Sequence, residues 1–523
     1  MTFQNGQTRE SLATDIWRAC DILRRDNNCG GVMEYVEHLA WLLFLRFLDA
    51  QESIWEHEAA IEGRTYARIL DGHLRWDYWG KRDWDADELI KFVHGTLLPG
   101  LQNLSGDPLR ETIRSIFSER TVIVAASGYN LKDVLAIIGE IDFTSQDDIF
   151  TVSHVYEDLL RRLGNENKMA GEFYTPRPVI RFVVELVAPQ LGETIYDPAA
   201  GSCGFLVQAF EYLRKHSPNL TIEQDEHLRT DTLIGNEKKA VPALLGMMNL
   251  ALHGVTKPQV RRGNTLEEEM KSTPSVRYDV TMTNPPFGGT ENRQIQAGFP
   301  VQANATELLF LQHIMKKLKP RHGARCGMVM PEGTLFRSGA FGTVKQDLLE
   351  NFNLHAVVSL PPGTFAPYSD VKTALLFFER PGPTKETWYY ELPMPEGLKK
   401  FSKGNPIQDE HFSEARELWK AWEAYRHGRG PRPDGKVEIR QLRERGIAYG
   451  LADDALSRCW VATIDAIKAR GYDLTARNPN RAEPEKLRPA VEITASLLER
   501  IRELHDIVEG LHEQLSNGNG EEK

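Results

Sequence analysis

The chain has 523 residues, 41% of them hydrophobic and 26% charged, with a net charge of −11 at neutral pH. That length exceeds one ordinary domain and predicts two or three, and the composition is that of a soluble globular protein. Its five cysteines, Cys20, Cys29, Cys203, Cys326 and Cys459, are odd in number and scattered, which argues for a reducing cytoplasm and against zinc.

Residues 1–150 read as helical, rich in Leu, Trp and paired charges, and form a separate domain. The first 15 residues are polar and show no targeting signal. The strongest apolar run, residues 39–48, is about half a membrane span and carries Arg46, so it reads as a buried helix. From about residue 150 to 380, strand-like runs alternate with amphipathic stretches: Ile195-Tyr196, Leu233-Ile234, Val280-Thr281-Met282, Met328-Val329-Met330, residues 355–360 and residues 374–378. Such alternation predicts a doubly wound, Rossmann-like α/β sheet with a mostly parallel core. Its site lies at the carboxyl ends of the strands, which puts Asp197, Glu237 and Asn284 on one rim.

Four turns carry the chemistry. The first, Asp197-Pro198-Ala199-Ala200-Gly201-Ser202-Cys203-Gly204, links a strand to a helix through small residues that let the backbone approach a ligand closely. It lacks the G-x-G-x-x-G of a pyrophosphate loop, and the acid at its head suits a cationic, zwitterionic ligand better. The second ends in Glu237, an acid able to hold ribose hydroxyls or simply to sit at the surface. Its distance from the glycine loop exceeds the usual ~20 residues, so residues 216–231 are expected to be an inserted loop. The third contains Asn264, an amide able to pair with an adenine edge.

The fourth turn, Asn284-Pro285-Pro286-Phe287, is the most informative. The exocyclic amine of adenine is a weak nucleophile because its lone pair is delocalised, and accepting hydrogen bonds from both N–H groups localises it. The Asn284 side-chain oxygen and the Pro285 carbonyl are suited to that. Two prolines keep the backbone extended and free of competing N–H donors, and Phe287 offers a face for an extruded base. The alternative is an ordinary Asn-Pro turn. Residues 288–303 form either a mobile loop over DNA or a plain surface loop.

Past Pro381 the composition shifts to a Pro/Gly/Lys-rich connector and helix-like segments. Leu497, Ile501, Leu504, Val508, Leu511 and Leu515 alternate spacings of four and three, a coiled-coil seam too short to stand alone. It packs on its own chain or on a partner. Two basic clusters, Lys316-Lys317-Lys319-Arg321-Arg325 and Arg440-Arg443-Arg445, read as DNA contacts or as solvated helix surface. The acidic total favours a subunit that borrows its grip on DNA from a partner.

Phe173-Tyr174-Thr175-Pro176-Arg177-Pro178, then the loop from Asp197, then Asn284-Pro285-Pro286-Phe287, is the motif order of amino-group DNA methyltransferases. More narrowly the chain resembles the modification subunit of type I restriction-modification systems over residues 14–480. Residues 17–25 and 42–49 resemble its N-terminal helical domain, and residues 327–336 and 360–365 its later strand-turn motifs. The resemblance implies an S-adenosyl-L-methionine-dependent adenine-N6 methyltransferase sheet over residues 151–382. A helical domain (1–150) precedes it and a helical extension (383–523) follows, with a partner-docking helix at 489–515. It implies that Glu172, Phe173, Tyr174, Thr175, Pro176 and Arg177 close over the methionine end of the cofactor. Gly201, Ser202, Cys203 and Gly204, headed by Asp197, line its loop. Glu237 takes the ribose, with Asn264 beside the adenine edge, and Asn284, Pro285, Pro286 and Phe287 hold the target base. Cys203 departs from a position that is often Gly or Ala, and Asn264 from one that is frequently Asp. The implied partners are DNA, a specificity subunit serving two copies of this chain, and a restriction/translocase subunit, in the cytoplasm and away from membranes. No recognition domain, P-loop, H-E-x-x-H or Pro-Cys motif is visible in the sequence. A stand-alone DNA methyltransferase, a protein-glutamine or RNA amino methyltransferase, and a non-catalytic scaffold are the rivals.

Overall fold

The computed structural model describes residues 9–106, 108–118, 124–166, 174–367, 369–434, 442, 454–475, 478–480 and 490–518. The strands are β1 (Ile195–Asp197), β2 (Leu233–Glu237), β3 (Gln259–Arg262), β4 (Val280–Thr283), β5 (Arg325–Pro331), β6 (Asn353–Ser359), β7 (Thr373–Glu379), β8 (Glu386–Glu391) and β9 (Cys459–Thr463). They form one sheet in the order β3-β2-β1-β4-β5-β7-β6-β8-β9. From β3 to β5 every pairing is parallel, as the alternation of strand and helix requires. β7 then slots antiparallel between β5 and β6.

Both faces are covered, so the central strands read as apolar runs. Alternate side chains of β5 and β7 divide between two cores: Val329, Leu375 and Phe377 enter one, and Met328, Met330, Leu376 and Phe378 the other. In β5, a Cβ on Gly327 would stand 2.6 Å from Val187 and 2.9 Å from Val183, so glycine lets the helix Arg177–Val187 lie directly on the sheet. That helix carries Arg177 at its start and places the Tyr174-Thr175-Pro176 segment over the strand ends.

Among the described residues of the N-terminal region every regular element is a helix, and its core is continuous with the first core of the sheet. In the helix Val32–Ile61, residues 39–45 are at most 2% exposed, the signature of a helix apolar on all sides and buried. Buried Arg68 pairs with Asp49 at 2.8 Å, and Glu52 accepts from the Leu70 N–H at 2.9 Å, which ties the following chain back onto that helix. No helix among the described residues is long and apolar enough to cross a membrane.

Three expectations need adjusting. The stretch 216–231 is not a bare loop: Ile222–Thr230 is a helix, started by a capping box between Thr221 and Gln224. Residue 150 falls inside the helix Gln146–Glu166 rather than between domains. The sheet also continues beyond residue 382, because the Thr, Trp and Tyr of β8 and the Trp and Val of β9 are strand formers that add to its edge. The helices of the C-terminal extension are there as well. Ser413–Arg426 brings Trp419 and Trp422 within 6.1 and 6.2 Å of the Trp388 ring.

The chain separates into two compact units, Met1–Arg477 and Asn478–Lys523. The second contains the helix Ala490–Gly518, on which Leu497, Ile501, Leu504, Val508 and Leu511 are 53–62% exposed. The side chain of Leu515 lies outside the described residues.

Candidate active site

Because β1 to β4 are parallel neighbours, the turns that follow them open on one rim. Asp197 ends β1, Glu237 ends β2, Asn264 follows β3 and Asn284 follows β4.

The turn after β1 needs two left-handed residues, Gly201 (φ +50°) and Cys203 (φ +60°). Glycine adopts this freely, while a side chain there costs about 1–2 kcal/mol, which is why small residues suit the Cys203 position. Cys203 is buried beneath the loop rather than lining the site. A Cβ on Gly246 would meet its Sγ at 2.5 Å and the Gly201 carbonyl at 2.9 Å. The helix Ala240–Leu252 therefore presses directly against the loop, and Asn249 Nδ2 donates to the Ser202 carbonyl at 2.8 Å. From the side, the Glu237 carboxylate accepts from the Gly201 N–H at 2.9 Å and the Lys239 N–H at 2.8 Å. Burial nevertheless raises the Glu237 pKa.

Asp197 is 1% exposed and accepts from the Ala199 N–H at 3.0 Å. Burial pushes its carboxyl up to about 7, and the nearby charge of Glu237 acts in the same direction. A carboxylate in this position gains from a cationic neighbour.

Asn284 Nδ2 donates to Thr175 Oγ1 at 2.9 Å, and among the described residues its buried Oδ1 has no hydrogen-bond partner. Pro285 is buried; the Pro286 carbonyl accepts from Thr306 Oγ1 at 3.3 Å. Phe287 is half-buried and meets Phe365 edge-on, with centroids 5.7 Å apart and planes at 85°. Local sequence marks Phe365 only as an aromatic in the Pro-Pro-Gly turn after β6, where Gly363 (φ +78°) would strike the Phe401 carbonyl at 2.1 Å if it bore a Cβ.

Arg177 pairs with Glu157 and stands 3.5 Å from the Gly204 carbonyl. Tyr174, Thr175, Arg177, Asp197, Ser202, Gly204 and Asn284 thus come together around one cavity of about 20 Å³, the space of a single water. Pro176 lies instead, with Tyr174 and Arg177, on the wall of a cleft of about 1210 Å³ lined by the N-terminal helices and by the helices Arg177–Val187 and Gly204–His216. Asn264 is turned away from the small cavity. Its Oδ1 caps the Leu266 N–H at 3.2 Å and its Nδ2 donates to Glu291 at 3.3 Å, a carboxylate that Lys238 also reaches at 3.2 Å. Glu291 belongs to residues 288–303, which hold a short helix, Arg293–Ala297, and an anchor, fully buried Phe299. Glu172 and Phe173 lie outside the described residues.

The first basic cluster is largely neutralised. Lys317 pairs with Glu268, Lys319 and Arg321 with Asp279, and Arg325 with Glu193, at 2.5–2.8 Å. Arg440, Arg443 and Arg445 lie outside the described residues. Among the described residues no group of three or more His, Cys, Asp or Glu side chains is placed to hold a metal ion.

Comparison with known proteins bears on this arrangement. The family model for N-6 DNA methylase matches residues 145–487, and the model for the HsdM N-terminal domain matches residues 12–138. The methylase subunit of the type I restriction enzyme EcoEI from Escherichia coli is 35% identical over 487 residues, 90% of this chain and 91% of that protein. A chain solved in work on the assembly and conformational transition of the type I R-M system is 65% identical. It covers 99% of this chain and 100% of its own, with a TM-score of 0.82. The modification subunit of a putative type I restriction enzyme from Vibrio vulnificus YJ016 is 36% identical, covers 91% and 98%, and gives a TM-score of 0.72.

Proposed function

Since the chain belongs to the N-6 DNA methylase family, as a type I modification subunit that methylates adenine N6 in DNA whose sequence a specificity subunit selects, we propose that the rim from Asp197 to Phe287 is where S-adenosyl-L-methionine and the extruded adenine meet. The observation that carries this reading is the buried Oδ1 of Asn284, an acceptor without a partner among the described residues, at the head of Asn-Pro-Pro-Phe.

The residues present fit the cofactor. Asp197 is a buried carboxylate suited to a cationic ligand, and Glu237 is a second acid on the neighbouring strand end. Gly204 lets the helix Arg177–Val187 pack against the loop, since a Cβ there would stand 2.6 Å from Ile180 and 3.3 Å from Arg177. The cavity they enclose is smaller than the whole cofactor, so it has to widen to admit a molecule of that size. When bound, S-adenosyl-L-methionine supplies an electrophilic sulfonium methyl group and retains the S–C electron pair as a neutral thioether. Asn284 Oδ1 and the Pro285 carbonyl accept from the two N–H groups of the adenine amine and localise its lone pair toward that methyl. Phe287, braced by Phe365, stacks on the base and holds it out of the duplex. The amine so held takes the methyl and releases one proton to solvent. Orientation and fixed dipoles supply most of the acceleration.

The exposed stripe on Ala490–Gly518 is the surface offered to the specificity subunit, two copies of this chain flank each such subunit, and a restriction subunit joins the assembly in the cytoplasm. The test is transfer of labelled methyl groups from S-adenosyl-L-methionine to unmodified DNA, with and without the specificity subunit, followed by nucleoside analysis. Label in N6-methyladenine only with both chains present is the expected result. Label with this chain alone makes it self-sufficient, and bound cofactor with no label in DNA under either condition overturns the reading.

A further inference from the structure

Asn284 has two polar ends, and the reaction needs one of them in a fixed orientation. Turning the carboxamide by half a rotation presents Nδ2, a donor, to an amine that itself offers N–H groups, and the acceptor is lost. The local backbone supplies little against that turn, because Pro285 and Pro286 have no N–H groups to hold Oδ1 in place. The restraint comes from a residue far away in sequence. Thr175 Oγ1 accepts from Asn284 Nδ2 at 2.9 Å, while Oδ1 stays buried and without a partner among the described residues.

Thr175 is itself firmly placed. The next residue, Pro176, is the N-cap of the helix Arg177–Val187, and its carbonyl accepts from the Val179 and Ile180 N–H groups at 3.0 and 3.2 Å. Arg177 is tied to Glu157 and to the Gly204 carbonyl, and the helix lies on β5 at Gly327. Asn284 begins where buried β4 ends. Donor and acceptor are therefore carried by two rigid elements.

We propose that Thr175 is a positioning residue for methyl transfer: by accepting from Asn284 Nδ2 it orients the carboxamide so that Oδ1 faces the adenine amine. This rests on the role given to Asn284 above, and it differs from the cofactor contact that the family resemblance implies for Thr175. Valine keeps the shape of threonine and removes the acceptor; serine keeps the acceptor and removes the methyl.

The test uses the complex with its specificity subunit, and measures cofactor affinity and single-turnover methyl transfer separately for Thr175→Val and Thr175→Ser. The expected result is transfer slowed about tenfold or more by valine, cofactor affinity held within about twofold, and a rate restored by serine, a tenfold change being ~1.4 kcal/mol in the barrier. In a chain already carrying Asn284→Asp, whose two carboxylate oxygens both accept and leave no orientation to set, Thr175→Val should lose most of its effect. Three outcomes overturn the proposal: valine at the wild-type rate, a rate loss matched by an equal loss of cofactor affinity, or faster cofactor entry with unchanged transfer, which would make the contact only a latch on the closed site. A wild-type complex that puts no label in adenine sinks the functional reading itself; one that methylates while the valine variant keeps pace sinks this proposal alone.

Discussion

The two halves of the sheet bury different things. At the carboxyl ends of the parallel half, β3 to β5, the buried groups are an amide oxygen with no partner among the described residues and carboxylates whose pKa values burial raises. In the mixed half, β7 to β9, the buried bulk is rings. Trp388 stacks with Tyr390 and with Trp422, its Nε1 donates to the Pro433 carbonyl at 3.2 Å, and Tyr389 stacks on Trp460. One half tolerates groups that folding alone would disfavour, and the other supplies packing. Activity and stability should accordingly answer to different residues.

The largest expected effect is on the first half. Asn284→Ala should slow methyl transfer by at least ~100-fold, in the range seen for loss of an oriented acceptor or donor at a reacting centre, with cofactor binding intact and the melting temperature unchanged or higher. A melting temperature that fell as far as it does for a core tryptophan would mean that Asn284 serves stability rather than activity. Trp388→Ala should do the reverse, lowering unfolding free energy by ~3–5 kcal/mol in denaturant titrations, while folded protein keeps its cofactor affinity.

Gly246→Ala sharpens the boundary between the halves' rules, because it is a packing change aimed at the site. The new Cβ would stand 2.5 Å from Cys203 Sγ and 2.9 Å from the Gly201 carbonyl, so the loop must shift. Cofactor affinity by calorimetry should weaken by about tenfold, ~1.4 kcal/mol, and Cys203→Ala in the same chain should recover part of it.

The smallest effect is a pH dependence. The Asp197 carboxyl is raised from 3.8 to about 7, so it is neutral below that pH and charged above it. Affinity for a cationic cofactor should fall as pH is lowered through about 7, by about twofold between pH 8 and pH 7. The stability contributed by the neutral acid is fully present below 3.8 and lost as pH rises through about 7. Asp197→Asn should therefore raise the melting temperature of the cofactor-free protein more near pH 8 than near pH 5. A flat affinity profile would remove Asp197 from the cofactor's surroundings.

Much of this was legible from local pattern. The strand runs, the rim shared by Asp197, Glu237 and Asn284, and the buried helix at residues 39–48 follow from periodicity and from where parallel sheets place their loops. What stayed hidden was set by partners distant in sequence. Nothing in residues 373–379 says that they enter between β5 and β6, since pairing order is decided by the whole sheet. β8 and β9 were masked by the Pro/Gly/Lys-rich stretch around them. The turning of Asn264 toward Glu291, the neutralisation of Lys319 and Arg321 by Asp279, and the hold of Thr175 on Asn284 each join side chains whose meeting only the folded chain determines. The capping box at Thr221 and Gln224, by contrast, was readable and marks a helix where spacing alone suggested a loop.

The antiparallel entry of β7 between β5 and β6 has a consequence for biosynthesis. When β5 has left the ribosome, its outer edge has no neighbour, and β6, made next, is not the strand that covers it. Roughly 40 further residues must emerge before β7 can, an interval of seconds at about 5–20 residues per second. Throughout that window an apolar strand edge is open to pairing with another nascent chain, so aggregation during expression should be set by how quickly the segment through Glu379 is completed.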